Sequence, residues 1–307
     1  MTHLLTIEQL TSNEIYFLMN QAQKWRECVQ ENKVPTPYQH CFLAPLFFED
    51  STRTRISFEI AAKRLGFSVI NTNLDRSSLS KGETFEDTAL NLEALGCRVF
   101  VIRNTHHDVI TRIATCLGSK SVVINAGSGC DHHPTQALLD FFTIQQHFKD
   151  YSKLKIAIVG DIAHSRVATS FLMLCRKLNI AEVRLVGPAT LLPHVTACFG
   201  YPHFTDLKEG LANADVIMSL RIQKERIAED QLIQESLPEY IEKYQINANS
   251  VKFAASHAIV MHPGPMNREI EMTSEVADGT RSVILEQAQN GIFVRMAVLD
   301  FFAKNIL

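Results

Sequence analysis

The chain has 307 residues, of which 46% are hydrophobic and 21% charged, and its formal net charge is -3. This length and apolar content allow a buried core and favour two domains over one. Acidic and basic residues are spread along the chain, so neither a nucleic-acid-binding face nor a polybasic membrane-binding segment is predicted, which favours a small-molecule ligand.

Cysteine use and the N-terminal residues indicate the compartment. The seven cysteines are odd in number and form no C-x-x-C pair, which fits reduced thiols better than disulfides or a zinc site. No basic segment followed by an apolar segment opens the sequence, and the longest apolar stretch, residues 41–48, is too short to cross a bilayer. We therefore expect a cytoplasmic protein that begins near Met1.

Apolar β-rich runs alternate with helical periodicity along the chain, as in βαβ units. Strands are predicted at 41–48, 68–71, 98–102, 121–124, 155–159, 182–186 and 215–219, and helices at 52–65, 84–95, 110–117, 134–147 and 165–178. A long amphipathic helix is predicted at 281–304. This order predicts an α/β protein of two domains, each a parallel sheet flanked by helices, with the C-terminal helix packing back on the first domain. The polar stretch at 149–153 is the visible boundary.

The first predicted strand runs directly into a helix that begins with hydroxyl and arginine side chains, at residues 51–55. Unpaired backbone N–H groups, hydroxyls, the helix dipole and Arg53 together suit an anion such as phosphate. The alternative is an ordinary helix cap with surface arginines. Two arginines among three hydroxyl residues favour the phosphate site.

Later strand ends carry further candidate residues. A small-residue loop at 77–84 could deliver Lys81 to a ligand, or could be a solvated loop with a capping box. Arg103 follows a strand directly, at the sheet edge where α/β proteins bind ligands. His133 directly precedes the helix predicted at 134–147 and Gln136 lies in its first turn, and His133 could hydrogen-bond a substrate carbonyl. Metal binding by Asp131, His132 and His133 is disfavoured, because no further ligands follow at a recognisable spacing.

The second half offers three similar positions. Gly160 ends a strand before a helix that contains Arg166, but the other glycines of a dinucleotide fingerprint are missing, so a nicotinamide cofactor is not expected. Arg221 and Gln223 are alternate residues of an extended segment and so face the same side. The prolines around Gly264 predict a rigid turn whose carbonyls could accept from an amine, or a turn with no ligand.

In order and spacing, these motifs resemble the carbamoyltransferase family over nearly the whole chain. The motifs are Ser51-Thr52-Arg53-Thr54-Arg55, Ser78 to Glu83, Arg103, His133-Pro134-Thr135-Gln136, Arg166, Arg221-Ile222-Gln223 and His262-Pro263-Gly264-Pro265. The Arg-x-Gln-x-Glu-Arg and His-Pro-x-Pro elements resemble the aspartate branch. The Asp-x-x-x-Ser-Met-Gly and His-Cys-Leu-Pro elements expected of the ornithine branch are absent from the sequence.

The resemblance implies transfer of a carbamoyl group from carbamoyl phosphate to L-aspartate, as in pyrimidine biosynthesis, without a metal or cofactor. It implies a carbamoyl phosphate-binding domain at 1–133 plus about 288–307 and an aspartate-binding domain at 134–287. The implied carbamoyl phosphate ligands are Ser51, Thr52, Arg53, Thr54, Ser78, Lys81, Arg103, His133 and Gln136. Thr54, Lys81, Arg103, His133 and Gln136 are the implied catalytic residues. The implied aspartate ligands are Lys81, Arg166, Arg221, Gln223, Gly264 and Pro265.

The family also implies a homotrimer in which Ser78 and Lys81 enter the neighbouring subunit's site, with regulatory or dihydroorotase subunits as further partners. Two alternatives stay open at this point. One is a carbamoyltransferase that uses another amine such as ornithine, and the other is a non-catalytic anion-binding scaffold of the same fold.

Overall fold

The computed structural model describes residues 2–71, 82–193, 200–222, 237–304 and 306, and every structural statement below concerns these residues. The chain divides into two compact units. The first comprises Met1–Phe142 with Gln289–Leu307, and the second comprises Thr143–Ala288. Each unit contains one parallel sheet with helices between its strands, so the predicted α/β class is confirmed.

The sheet of the first unit has four parallel strands in the order β2-β1-β3-β4. The strands are β1 (Phe42–Phe47), β2 (Ser68–Val69), β3 (Cys97–Asn104) and β4 (Val122–Ser128). β1 pairs with β3 through Phe47 and Arg103, and β3 pairs with β4 through Asn104 and Ser128. Because these strands are parallel, their carboxyl ends and the loops that follow share one edge of the sheet.

Helices precede, connect and follow these strands. They are α1 (Ser12–Gln30), α2 (Thr52–Arg64), α3 (Phe85–Ala94), α4 (His107–Cys116) and α5 (Pro134–His147). Val99, Phe100, Val101 and Ile102 of β3 are all fully buried, as expected for a parallel strand that is covered on both faces.

The sheet of the second unit has five parallel strands in the order β7-β6-β5-β8-β9. The strands are β5 (Lys155–Val159), β6 (Glu182–Val186), β7 (His203–Phe204), β8 (Val216–Ser219) and β9 (Ile259–Met261). The helices are α6 (Arg166–Lys177), α7 (Leu207–Leu211), α8 (Leu237–Tyr244) and α9 (Ser274–Ala277). Val159 pairs with Ser219 and Met218 pairs with Met261, so the ends of β5, β8 and β9 are neighbours.

The last helix, α10 (Ile284–Ala303), contributes its C-terminal part to the first unit. Tyr38 donates from Oη to Asp300 Oδ1 at 2.7 Å, and the rings of Phe17 and Phe301 lie 5.6 Å apart. The predicted return of the C-terminal helix to the first domain is thereby confirmed. Of the helices in the described ranges, none combines the length and the apolar character needed to cross a bilayer.

Candidate active site

The start of α2 lies at the carboxyl edge of the first sheet, directly after β1. Ser51 is the N-cap residue, and its side chain makes no capping hydrogen bond. The first turn contains no acidic residue, while Arg53 and Thr52 are exposed and Thr54 is buried. Backbone N–H groups at a helix start carry partial positive charge, so this turn suits an anion with hydroxyl and guanidinium donors around it.

Arg103 reaches the same edge from β3. Its backbone carbonyl accepts from the N–H of Phe48, and the residue is 8% exposed. Arg103 Nη2 donates to Glu49 Oε1 at 2.6 Å, and Nη1 lies 3.5 Å from the carbonyl oxygen of Ala126. Glu49 thus holds a buried guanidinium next to the start of α2. Sequence reasoning did not identify Glu49, although its position two residues before Ser51 placed it in the same loop.

The turn after β4 positions the third group of candidate residues. Asn125 Oδ1 accepts from the N–H of Gly127 at 2.8 Å, and the N–H of Ser128 donates to the carbonyl of His132 at 2.9 Å. The N–H of Gly129 donates to the carbonyl of Asn104 at 3.1 Å, which ties the turn to the end of β3. His133 therefore follows a fixed turn, and the residue is 4% exposed.

Gln136 lies in the first turn of α5, one helical turn before Asp140. Gln136 Nε2 donates to Asp140 Oδ1 at 2.8 Å, and both side chains are buried. Asp140 was not among the predicted site residues, although the i to i+4 spacing on a helix places the two side chains on one face.

The first unit thus brings most of its predicted ligands to one sheet edge. They are Ser51, Thr52, Arg53 and Thr54 after β1, Arg103 at the end of β3, and His133 and Gln136 after β4. Ser78 and Lys81 lie outside the described residues.

In the second unit, Arg166 and Arg221 follow neighbouring strands. Arg166 opens α6, after the turn at Gly160 that ends β5, and Arg221 stands two residues after β8. Gly160 has φ +125, and a Cβ at this position would lie 2.7 Å from the carbonyl oxygen of Leu220. The turn after β5 therefore packs directly on the backbone that leads to Arg221. Gln223 lies outside the described residues.

The segment after β9 contains the predicted rigid turn with Gly264 and Pro265. The N–H of Gly264 donates to His262 Nδ1 at 2.9 Å, and His262 Nε2 lies 3.3 Å from Glu271 Oε1. Nδ1 therefore acts as the acceptor in this turn, while Nε2 lies on the side of Glu271. Asn267 Nδ2 donates to the carbonyl of Ile222 at 3.2 Å. This bond joins the turn to the segment that carries Arg221, so Arg166, Arg221 and the turn share one edge of the second sheet.

Titratable groups are buried beneath this turn. Burial raises the pKa of Tyr240, and the negative charges of Glu271 and Asp161 raise it further. Glu271 and Asp161 are themselves buried. Within the described ranges, no group of three or more His, Cys, Asp or Glu side chains is arranged to hold a metal ion.

Each half of the chain matches a family model of known proteins. The family model described as aspartate/ornithine carbamoyltransferase, carbamoyl-P binding domain, matches residues 2–146. The model described as aspartate/ornithine carbamoyltransferase, Asp/Orn binding domain, matches residues 152–302.

Relatives are similar over almost their full length. The aspartate carbamoyltransferase catalytic subunit of Coxiella burnetii is 45% identical over 98% of this chain and 96% of its own. The crystal structure of Trypanosoma cruzi aspartate transcarbamoylase in complex with carbamoyl aspartate and phosphate is 32% identical, with a TM-score of 0.87 over 98% of this chain and 95% of that one. Ornithine carbamoyltransferase of Thermus thermophilus is 25% identical, with a TM-score of 0.85 over 99% of both chains.

Proposed function

The chain belongs to the aspartate/ornithine carbamoyltransferase family, and we propose that it transfers the carbamoyl group of carbamoyl phosphate to the amine of L-aspartate. The products are N-carbamoyl-L-aspartate and phosphate. One structural observation carries the proposal: a hydroxyl-rich helix start with an exposed arginine lies beside the buried Arg103. The choice of aspartate over ornithine rests on the higher identity to the aspartate enzymes.

Carbamoyl phosphate binds to the first unit in this proposal. Its phosphate accepts hydrogen bonds from the first turn of α2 and from Arg103, since an anion at a helix start gains from backbone N–H groups, the helix dipole and guanidinium forks together. The phosphate ligands are Ser51, Thr52, Arg53, Thr54 and Arg103, with Ser78 and Lys81 supplied by a neighbouring subunit.

The remaining ligands act on the carbamoyl group. Thr54, Arg103 and His133 donate to the carbonyl oxygen and stabilise the negative charge that develops there in the tetrahedral intermediate. Gln136 holds the carbamoyl nitrogen. The aspartate nitrogen forms a bond to the carbonyl carbon, the bond from that carbon to the phosphate oxygen breaks, and the amine proton passes to the departing phosphate. Positioning of the two reactants can lower the barrier by about 7 kcal/mol or more.

L-Aspartate binds to residues of the second unit. Arg166, Arg221 and Gln223 take its two carboxylates, because a guanidinium fork matches the geometry of a carboxylate. Backbone near Gly264 and Pro265 orients the amine, and Lys81 of the neighbouring subunit contributes a further positive charge. In the proposed domain assignment, residues 1–133 with 288–307 bind carbamoyl phosphate and residues 134–287 bind aspartate.

The assembly and the cellular role complete the proposal. We infer a homotrimer with active sites shared between subunits, which is open to association with regulatory or dihydroorotase subunits. The reaction would serve pyrimidine biosynthesis in the cytoplasm.

Product analysis tests the proposed activity. Purified protein is incubated with carbamoyl phosphate and either L-aspartate or L-ornithine, and phosphate release is followed while the product is identified by mass. We expect carbamoylaspartate and no citrulline. Citrulline as the main product would establish the ornithine alternative, and an absence of amine-dependent phosphate release would support the non-catalytic scaffold.

A further inference from the structure

A buried carboxylate beside the candidate site has no role in the reaction as proposed so far. Asp140 is fully buried in the first unit, on the face of α5 that carries Gln136. Its Oδ1 accepts from Gln136 Nε2 at 2.8 Å. Burial removes a carboxylate from water, which is costly unless hydrogen bonds and nearby positive charge compensate it.

The contact determines which end of the Gln136 amide faces the ligand. An ionised carboxylate only accepts hydrogen bonds, so it pairs with the amide NH2 group and excludes the amide oxygen from that position. Gln136 Oε1 must then point away from Asp140, because the two ends of the amide lie on opposite sides of its carbon. The site therefore presents an acceptor at Gln136, which matches the N–H groups of a carbamoyl group.

A buried positive charge in the same unit favours the ionised form of Asp140. Arg295 of α10 is 3% exposed, and its guanidinium lies over the ring of Phe58 of α2 at 5.1 Å. Gly291, one turn earlier, leaves room for it, because a Cβ there would overlap Arg295 Nη1. Burial lowers the pKa of Arg295 to about 10, and the negative charge of Asp140 acts in the opposite direction. Arg295 thus stays charged at neutral pH.

We propose that Asp140 is a positioning residue that fixes the amide of Gln136 with its oxygen toward the substrate, so that the site selects carbamoyl phosphate over acyl phosphates without N–H donors. The inference rests on the proposed function, since it assigns a cause to the contact between Gln136 and the carbamoyl nitrogen. Acetyl phosphate is the matched probe. It carries a methyl group in place of the amino group, and transfer to aspartate would give N-acetylaspartate and phosphate.

The test compares kcat/KM for carbamoyl phosphate with kcat/KM for acetyl phosphate, with aspartate as the acceptor, in wild type and in Asp140→Asn. The introduced amide can donate as well as accept, so Gln136 is free to turn. We expect kcat/KM for carbamoyl phosphate to fall about tenfold or more, the scale of one lost hydrogen bond, while the acetyl phosphate value changes little. An unchanged ratio of the two values would overturn the proposal.

A double-mutant cycle separates positioning from a general structural effect. In a Gln136→Ala background there is no amide left to orient, so adding Asp140→Asn should cause no further loss of selectivity. An equal additional loss would show that Asp140 acts independently of Gln136, which contradicts the proposal.

Asp300→Asn is the matched control. Asp300 is also a buried carboxylate of the first unit, but it accepts from Tyr38 Oη, away from Gln136. This variant should lower the melting temperature and leave the selectivity ratio unchanged. If Asp140→Asn does not fold, Asp140→Ser removes the charge with a smaller side chain, and the same change in ratio is expected. Wild-type carbamoylaspartate formation is measured in the same series, so failure of the proposed function would be seen separately.

Discussion

Arg53 is exposed in the first turn of α2, where a side chain contributes little to packing. We expect Arg53→Ala to lower kcat/KM for carbamoyl phosphate about 100-fold or more, because a charged donor to the transferred group is lost. The free energy of unfolding should change by no more than about 0.5 kcal/mol. Lys63→Ala, at the other end of the same helix, is the control: it breaks the exposed pair with Glu59 and should leave the rate unchanged. An Arg53→Ala enzyme with the wild-type rate would contradict the assignment of Arg53 as a phosphate ligand.

Glu49 competes with the proposed ligand for Arg103, since its carboxylate lies 2.6 Å from the guanidinium. In Glu49→Gln the site gains one unit of positive charge, so we expect inorganic phosphate to bind about fivefold more tightly, which corresponds to about 1 kcal/mol for a partly exposed ion pair. Titration calorimetry with phosphate measures this change, and Glu59→Gln serves as the control for loss of a carboxylate elsewhere. Equal or weaker phosphate binding in Glu49→Gln would mean that Glu49 positions Arg103 for the ligand and does not compete with the ligand.

The sequence predicted the cationic and hydroxyl residues of the candidate site. It did not predict the two carboxylates that hydrogen-bond to site side chains. Arg103 was recognisable because it directly follows an apolar strand. Its partner Glu49 and the Gln136 partner Asp140 were not, since an acidic residue in a loop or helix is usually solvated. The pairing depends on burial, which is a property of the folded chain.

The turns that end the strands of the second sheet depend on close backbone contact. Gly160 has φ +125 and leaves no room for a Cβ against the carbonyl of Leu220, next to Arg221. Gly160→Ala should therefore cost about 1–3 kcal/mol of stability and raise KM for aspartate, with little effect on phosphate binding.

Gly200→Ala is the matched control for this substitution. Gly200 also has a positive φ, +81, but no atom of the described ranges lies within 4 Å of the added Cβ. Gly200→Ala should lower the free energy of unfolding by about 1 kcal/mol, because alanine is strained at a positive φ, and it should leave KM for aspartate unchanged. Urea unfolding and initial-rate measurements check both variants. Identical aspartate kinetics in the two variants would show that the turn at Gly160 does not position Arg221.

Some helices and strands could be predicted from the sequence and others could not. Strands β5 and β6 have the predicted bounds, since their β-branched and apolar residues stop at Gly160 and Gly187. Helix α1 was not predicted, although Thr11 and Glu14 form a capping box at its start and the buried residues Ile15, Leu18 and Ala22 recur at helical spacing. Strand β9, with three residues, is too short for a periodic signal and is formed by its pairing with β8.

For the whole molecule, shared active sites predict complementation between inactive chains. Lys81→Ala and Arg53→Ala chains, each nearly inactive alone, are unfolded together and reassembled. If each site takes Arg53 from one subunit and Lys81 from its neighbour, random trimers should regain about a quarter of wild-type activity. Reassembly of each variant alone is the control and should regain none. No recovery in the mixture, with trimers present by mass in solution, would indicate that each chain holds a complete site.

The division of the chain into two sheets followed from the βαβ rhythm, and the return of the last helix followed from its length. The sequence did not predict which residues of that helix contact the rest of the first unit. Tyr38 with Asp300, and Phe58 with Arg295, are pairs more than two hundred residues apart. Only the packed unit brings them into contact.

The return of α10 also determines when each unit can be finished during synthesis. Residues 143–288 leave the ribosome as one uninterrupted stretch, whereas the first unit needs residues 289–307, which are made after it. The second unit can therefore complete its core before the first, the reverse of the usual N-terminal-first order. Until α10 arrives, Phe17, Tyr38 and Phe58 lack its packing surface, so nascent chains stopped before residue 289 should expose apolar surface and engage chaperones.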